Sequence, residues 1–423
     1  MQKEDGPVKA LEHLRPALAA VVVCTVGTAL WAGAGPAVSW KHLSTASGDL
    51  PVPNAGTQQT SATVFDIDKD GVNDFVITER TAVPSVVWYR RTGDGWNRYV
   101  IEDEALRPEA GATFGDVDGD GDRDFIAGAD GGGRTGNEVW WWQNPCPDFA
   151  PGTPWKRHTL KRSGGRKHHD LMFADADGDG KAELVFWNQG AHALILARIP
   201  ENPRSVGEWP MTEIFAYSAD GEMQQRATSP PFKTINEHEG LALADIDGDG
   251  KADIIGSGYW FKHLGGDRYR ANTVDAAYHF SRAAAGQLIE GGRPEVVFVV
   301  GDGIGPLVMY EWVKGTWMPH VLVERIDNGH SLSLVDFNGD GHLDIFCAEM
   351  RLDGGNPESK VCILPGDGKG GFSRYVPITG FDNHESKMVD LDGNGTLDIL
   401  GKPYNWNTPR LDIWLNMGPS PAR

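Results

Sequence analysis

The chain has 423 residues, 59 acidic against 39 basic side chains for a formal net charge of −20, 54 glycines and 15 tryptophans. Such a charge speaks against nucleic acid as a partner without excluding an anionic sugar. The 40% hydrophobic content excludes a disordered polymer.

Residues 1–37 differ from everything after them: a mixed-charge start through Arg15, an apolar run over 17–31, then the small residues AGAGPA. That order predicts a secretory signal peptide cleaved between Ala34 and Val38, followed by one domain over 38–423 and export from the cell. The run is short for a membrane span, with an uncleaved N-terminal anchor as the alternative, and no later segment is apolar for long enough. Cys24 follows Val23, not a small residue, which argues against a lipoprotein site.

From Ser39 the chain repeats. Six segments carry a loop of alternating acids, a glycine turn and a closing acid at the ninth position: Asp66, Asp68, Asp70 and Asp74; Asp116, Asp118, Asp120 and Asp124; Asp175, Asp177, Asp179 and Glu183; Asp245, Asp247, Asp249 and Asp253; Asp336, Asn338, Asp340 and Asp344; Asp390, Asp392, Asn394 and Asp398. Ca²⁺ takes six to eight hard oxygen ligands, which such a ring supplies. The flanks alternate as strands do, so each loop sits in a β-hairpin. A seventh segment, 287–295, keeps the register and Gly292 but has lost its leading acids, so it predicts a repeat without a metal. Starts 42–70 residues apart indicate a propeller or solenoid, and seven copies predict an all-β, seven-bladed propeller. Its ions are structural. With 22 carboxylates in these loops, six Ca²⁺ would reduce the formal charge to −8.

Each repeat continues with an apolar third strand and, in most, an aromatic-led fourth strand. The last repeat lacks its fourth. SWKHLS at Ser39 is predicted to supply it, pairing Trp40–Leu43 with Leu411–Leu415 and closing the ring, which removes exposed edges. Most of the tryptophans then pack between blades. Cys347 and Cys362 fall on neighbouring strands and are open to either a disulfide or two buried thiols. Loops at 131–136, 146–154, 200–210 and 219–234 decorate the scaffold, where specificity commonly resides.

This plan resembles the FG-GAP/VCBS repeat family over roughly residues 38–416. The resemblance implies a calcium-binding seven-bladed propeller and leaves activity open, since one fold hosts many functions.

The strand before each metal loop begins at the opposite face, so its first residues meet at one channel mouth. Six of the 13 histidines fall there: His168, His169, His238, His279, His330 and His384, with Glu109, Lys167, Glu237, Glu239 and Asp382. Just inside come Asp170, Arg282, Glu385 and Lys387. The second strands return to the same face with Glu79, Arg80, Asp130, Asn188, Gln189, Tyr259, Glu349 and Lys402, and the aromatics Trp187, Trp260, Tyr404 and Trp406. Any one such histidine is more readily a hydrogen-bonded structural residue. A whole ring of them without a ligand is costly to bury, so the set is read as a functional mouth.

Imidazoles, cations and aromatics at one mouth suit an acidic sugar. Elimination at a uronate needs its carboxylate neutralised, a base near neutrality for the C5 proton and an acid for the departing oxygen. The shortlist is His169, His238, His330 and His384 as acid or base and Arg282 and Lys387 as carboxylate partners. Glu109, His168, Asp170, Asn188, Glu239, Tyr259, Trp187, Trp260, Glu349, Glu385, Lys402 and Trp406 are read as substrate contacts. The segments KHHD, NEHEG, NGHS and NHES are similar to those of propeller lyases that release rhamnose from glucuronate, a resemblance that implies a secreted lyase; its expected partner is an acidic polysaccharide or glycoprotein glycan, and the chain is expected to be a monomer. Rival readings are a non-catalytic adhesion propeller, an enzyme with Cu or Zn held by the imidazoles, and a two-carboxylate hydrolase, which the scarcity of an isolated acid pair disfavours.

Overall fold

The structure is a computed structural model and describes residues 38–93, 95–218 and 237–419. The signal segment, its cleavage site, Cys24 and the whole 219–234 loop lie outside these residues. Seven four-stranded antiparallel sheets follow one another along the chain. Their innermost strands are Gln59–Phe65, Thr113–Gly115, His168–Ala174, Ala242–Ala244, Ser281–Gly286, Ser331–Val335 and Lys387–Val389, defining blades one to seven. The expected propeller is present.

Closure uses the expected strands, with residues 40–43 set opposite 416–413, one residue beyond the expected 411–415 at Trp40. Val38–Ser44 is the outer strand of the last blade, with Trp40 opposite Asn416, His42 opposite Trp414 and Leu43 opposite Ile413. Thr45 N–H extends the ladder to the Leu411 carbonyl at 3.1 Å. Trp40 is held there by its indole N–H on the Tyr375 hydroxyl at 3.0 Å.

A blade cannot bury both of its apolar faces alone, so the core is divided between neighbours. Phe65, Val76 and Trp88 of blade one pack with Phe125, Trp140 and Trp142 of blade two. Leu391, Leu400 and Ile413 of blade seven pack with Phe75, Ile77 and Tyr89 of blade one, so the ring is continuous. Trp88, Trp140, Trp141, Trp142 and Trp187 are fully buried in these seams. Each buried aromatic stabilises by about 1.5–3 kcal/mol or more through area removed from water.

Cys347 and Cys362 stand directly opposite each other, but as two buried free thiols. They lie in the apolar seam of blades five and six, where small hydrophobes pack and no bridge is required.

Candidate functional site

Two faces carry functional groups. On one, the acidic loops close on themselves: Asp245 accepts from Gly248 N–H at 2.8 Å, Asp249 N–H at 3.1 Å and Gly250 N–H at 2.8 Å. Gly250 has φ +83°, the left-handed backbone that makes this turn possible without a Cβ penalty. Asp245, Asp247 and Asp253 offer oxygens close enough for one ion, as do Asp66, Asp68 and Asp70, and Asp116, Asp118 and Asp124, and Asp175, Asp177 and Glu183. Asp118 Oδ1 and Asp247 Oδ1 are buried without a hydrogen-bond partner, as ligands awaiting a cation would be. An all-oxygen donor set with orphaned carboxylate oxygens fits Ca²⁺. Basic side chains lean into four loops, including Arg204 on Asp118 and Asp120 and Lys262 on Asp249.

The ninth-position acid has a second task. Asp253 accepts from Ile246 N–H at 3.2 Å and His263 N–H at 2.8 Å, tying three strands together. In the metal-poor fifth blade Glu295 ties the preceding loop to its own strand, accepting from Leu288 N–H and Ile289 N–H at 2.9 Å. There the Gln287 amide donates to the Gly291 carbonyl at 2.8 Å, so a neutral donor stands where the other loops place acids.

On the opposite face, a cavity of about 120 Å³ opens at the channel mouth. It is lined by Arg80, Glu109, Lys167, His169, Glu237, Glu239, Phe280, Asp302, His330, Met350, His384 and Tyr404. All seven blades contribute, because each inner strand starts, and each second strand ends, at this rim. Below it lies a channel cavity of about 260 Å³ lined by Asp170, Arg282, Glu385 and Lys387 among others.

A charged layer lies at this level. Arg282 donates to Asp170 at 3.2 Å through Nη1, to Asp170 again through Nη2, and to Glu385 at 2.6 Å. Lys387 reaches Glu385 at 3.2 Å. Asp170 and Glu385 adopt positive φ of 47° and 57°, and at Asp170 the strand register shifts. Left-handed backbone at non-glycine positions costs about 1–3 kcal/mol and persists where the surroundings impose it. Here it turns both carboxylates onto one guanidinium. Burial opposes charge on Arg282, but Asp170 and then Glu385 hold its pKa above the ordinary arginine value.

In the mouth, His169 bonds Glu239 at 3.1 Å through Nε2 and Asp170 at 3.0 Å through Nδ1. Burial alone would lower its pKa; Glu239 and then Asp170 outweigh it and lift the imidazole to about 9. Burial pushes Glu239 up to about 6. His330 Nε2 lies 2.8 Å from Asp302, and the His330 and His384 rings are 4.8 Å apart. His384 stacks on Tyr404 at 4.8 Å, and the Tyr404 hydroxyl accepts from Arg80 Nη1 at 2.9 Å. Arg80 also pairs with Glu109, and Lys167 with Glu237 at 2.7 Å. Burial first, then Lys402, holds His384 well below the ordinary histidine pKa; burial lowers Lys402 to about 7.

Of the shortlist, His169, His330, His384, Glu109 and Glu239 meet at the mouth. Arg282, Lys387, Asp170 and Glu385 lie in the channel, so Arg282 and Lys387 are engaged by protein carboxylates, and the mouth's own cations are Arg80 and Lys167. His238 does not line the cavity: it is fully buried, stacked on Tyr217 at 3.6 Å and bonded to Ser257 Oγ at 2.6 Å. His168 is likewise a core residue against Phe186, its pKa lowered to about 3 by burial. Trp187 donates to the Gly240 carbonyl at 3.0 Å and Trp260 to Asp253 at 2.8 Å, both buried, so neither can stack on a sugar. Asn188 caps a turn at Ala191, Glu349 accepts from Asp327 and Lys360 N–H at 2.9 Å, and Tyr259 packs on Phe215. Lys402 sits behind His384, and Trp406 lines a neighbouring pocket. The reading of the sequence missed Asp302, Phe280 and Met350. Asp302 follows the second strand of blade five, as Lys402 and Tyr404 follow that of blade seven, and that shared position was the available signal.

The chain matches the FG-GAP-like repeat family over residues 116–186 and 336–401. It is 25% identical over 283 residues to rhamnogalacturonan exolyase YesX of Bacillus subtilis (strain 168), covering 61% of this chain and 43% of that protein, so it spans less than half the length of that relative. Among solved structures it is similar to BBS1N in complex with ARL6DN, with a TM-score of 0.52 at 10% identity over 90% of this chain and 97% of that one. At that identity the likeness shows the fold alone.

Proposed function

We propose that this chain, a seven-bladed propeller of FG-GAP-like repeats, is a secreted lyase that cleaves a uronate-containing polysaccharide by β-elimination at the channel mouth. The observation that carries the reading is the convergence of His330, His384, Tyr404, Arg80 and Lys167 on one small cavity. Similarity to a rhamnogalacturonan exolyase supports the substrate class.

Arg80 and Lys167 take the uronate carboxylate, which makes the C5 proton acidic. His384 Nε2, which has no hydrogen bond within the described residues, takes that proton. The C5–H pair becomes the C4–C5 double bond as the C4–O bond breaks. Tyr404, whose hydroxyl burial keeps protonated, gives its proton to the departing oxygen. His330, oriented by Asp302, walls the site beside the base. The Ca²⁺ loops on the far face hold the blades together. One observation favours a purely binding propeller, namely that Arg80 and Lys167 are both paired with carboxylates. A transition metal is disfavoured, because His169, Asp170 and Glu239 already face the Arg282 cation. Incubation with rhamnogalacturonan and other acidic polysaccharides, followed by ultraviolet absorbance for unsaturated uronate, tests the reading; binding without such product favours adhesion.

A further inference from the structure

Next to the mouth lies a second cavity of about 150 Å³, lined by Gly380, Phe381, Asp382, Trp406, Arg410 and Asp412 among others. Both cavities are served by one short segment. Tyr404 faces the mouth and Trp406 the second pocket, and the buried Asp382 carboxylate fixes this segment by accepting from Tyr404 N–H at 3.1 Å and from Arg351 N–H at 2.7 Å.

Trp406 is braced from behind. The Arg351 guanidinium lies 3.6 Å from its ring centroid, and that guanidinium is itself fixed on the carbonyls of Gly380 at 3.1 Å, Gly355 at 3.2 Å and Gly354 at 3.3 Å. A Cβ on Gly354 would come within 2.6 Å of the indole, so only glycine permits this seat. The indole N–H has no partner among the described residues. Across the pocket, Arg410 is bidentate on Asp412 at 2.6 Å and 3.0 Å. The wall therefore offers an immobilised aromatic face, a free N–H donor, the Arg410–Asp412 ion pair and the Asp382 carboxylate, whose oxygens are taken by backbone N–H groups. With each of these charged groups already engaged within the protein, the wall matches neither an anion nor a cation as well as it matches a ring of hydroxyl groups with an apolar face. The volume is below the roughly 300 Å³ of pockets that enclose larger ligands, so it takes one ring.

We propose that the Trp406 pocket is a second glycan subsite, binding an uncharged pyranose residue of the same chain whose uronate occupies the mouth. The inference rests on the functional reading above and adds to it that the enzyme grips an extended chain across blade seven.

The test is calorimetric titration of rhamnogalacturonan oligosaccharides of two and eight residues into a His384→Ala background, with and without Trp406→Ala and Trp406→Phe. The subsite predicts that the His384→Ala protein prefers the longer oligosaccharide. Trp406→Ala removes that preference, weakening the longer ligand about tenfold, the scale of one good aromatic contact. Trp406→Phe, which keeps a ring, retains most of it. If Trp406→Ala keeps the full length preference, or no such preference exists, the subsite is wrong while the mouth stands. If neither length binds and wild type cleaves no acidic glycan, the functional reading falls and the subsite with it.

Discussion

Lys402 Nζ lies 3.1 Å from His384 Nδ1 and donates to the Gln59 carbonyl at 2.7 Å and the Thr60 carbonyl at 3.1 Å. An ammonium has three hydrogens and no acceptor. While Lys402 is charged, His384 Nδ1 must accept, and Nε2 carries the proton into the cavity. Once Lys402 is neutral its lone pair accepts from Nδ1–H, and Nε2 becomes a base. Lys402 is lowered from 10.5 to about 7 by burial, so activity should rise through about pH 7. In Lys402→Met that acidic limb should disappear or move. The same change strips two buried carbonyls of their donor and should cost about 1–3 kcal/mol in denaturant unfolding. A pH profile that Lys402→Met leaves unchanged refutes the coupling.

The His169 pair gives stability its own pH dependence. His169 is raised from 6.5 to about 9, against the effect of burial, by Glu239 and Asp170. A raised pKa means the folded state holds the proton more tightly, so its contribution is complete below about pH 6.5 and is lost as pH rises through about 9. The stability difference between wild type and His169→Gln should therefore narrow across that interval. A difference that stays constant from pH 6 to pH 10 contradicts the pairing.

Calcium should set thermal stability. Each site saturated about 100-fold over its Kd stabilises by about 2.7 kcal/mol, so excess chelator should lower Tm substantially. Elemental analysis should find five or six Ca²⁺ per chain. Asp245→Ala should remove one and Gln287→Ala none. An unchanged melting curve in chelator defeats the loop assignment.

Closure by the first strand predicts that Trp40→Ala costs up to about 3 kcal/mol, at the low end for truncating a large aromatic because the residue is only partly buried. The loss should appear as a lower denaturation midpoint with Ca²⁺ content unchanged. Stability equal to wild type would argue that the ring does not depend on this strand.

The repeat was legible because its spacing and the period-two alternation of its strands are local properties. The closing strand was legible because a four-strand plan left one vacancy and SWKHLS matched it. The histidines were only partly legible: alternation assigns faces within a regular strand, but the inner strand of blade three bulges at Asp170, so counting back from the metal loop does not say which of His168 and His169 faces the channel. Trp187 and Trp260 misled because an aromatic at a strand end faces a seam as readily as a rim. Asp302 was missed because only the inner strand of blade five, with His279 and Arg282, was read toward the mouth, and the end of its second strand was not.

The assay that bears most directly on lyase action compares wild type, His384→Ala, Tyr404→Phe and His238→Ala on one uronate-containing polysaccharide, following unsaturated uronate by ultraviolet absorbance and folding by Tm. The mouth assignment predicts product from wild type and a rate lower by roughly 10²- to 10⁴-fold for His384→Ala and Tyr404→Phe at nearly unchanged Tm. His238→Ala should instead lose Tm, as expected of a stacked core residue. Full rate in both His384→Ala and Tyr404→Phe, or a polysaccharide that wild type binds without ever forming unsaturated product, contradicts it.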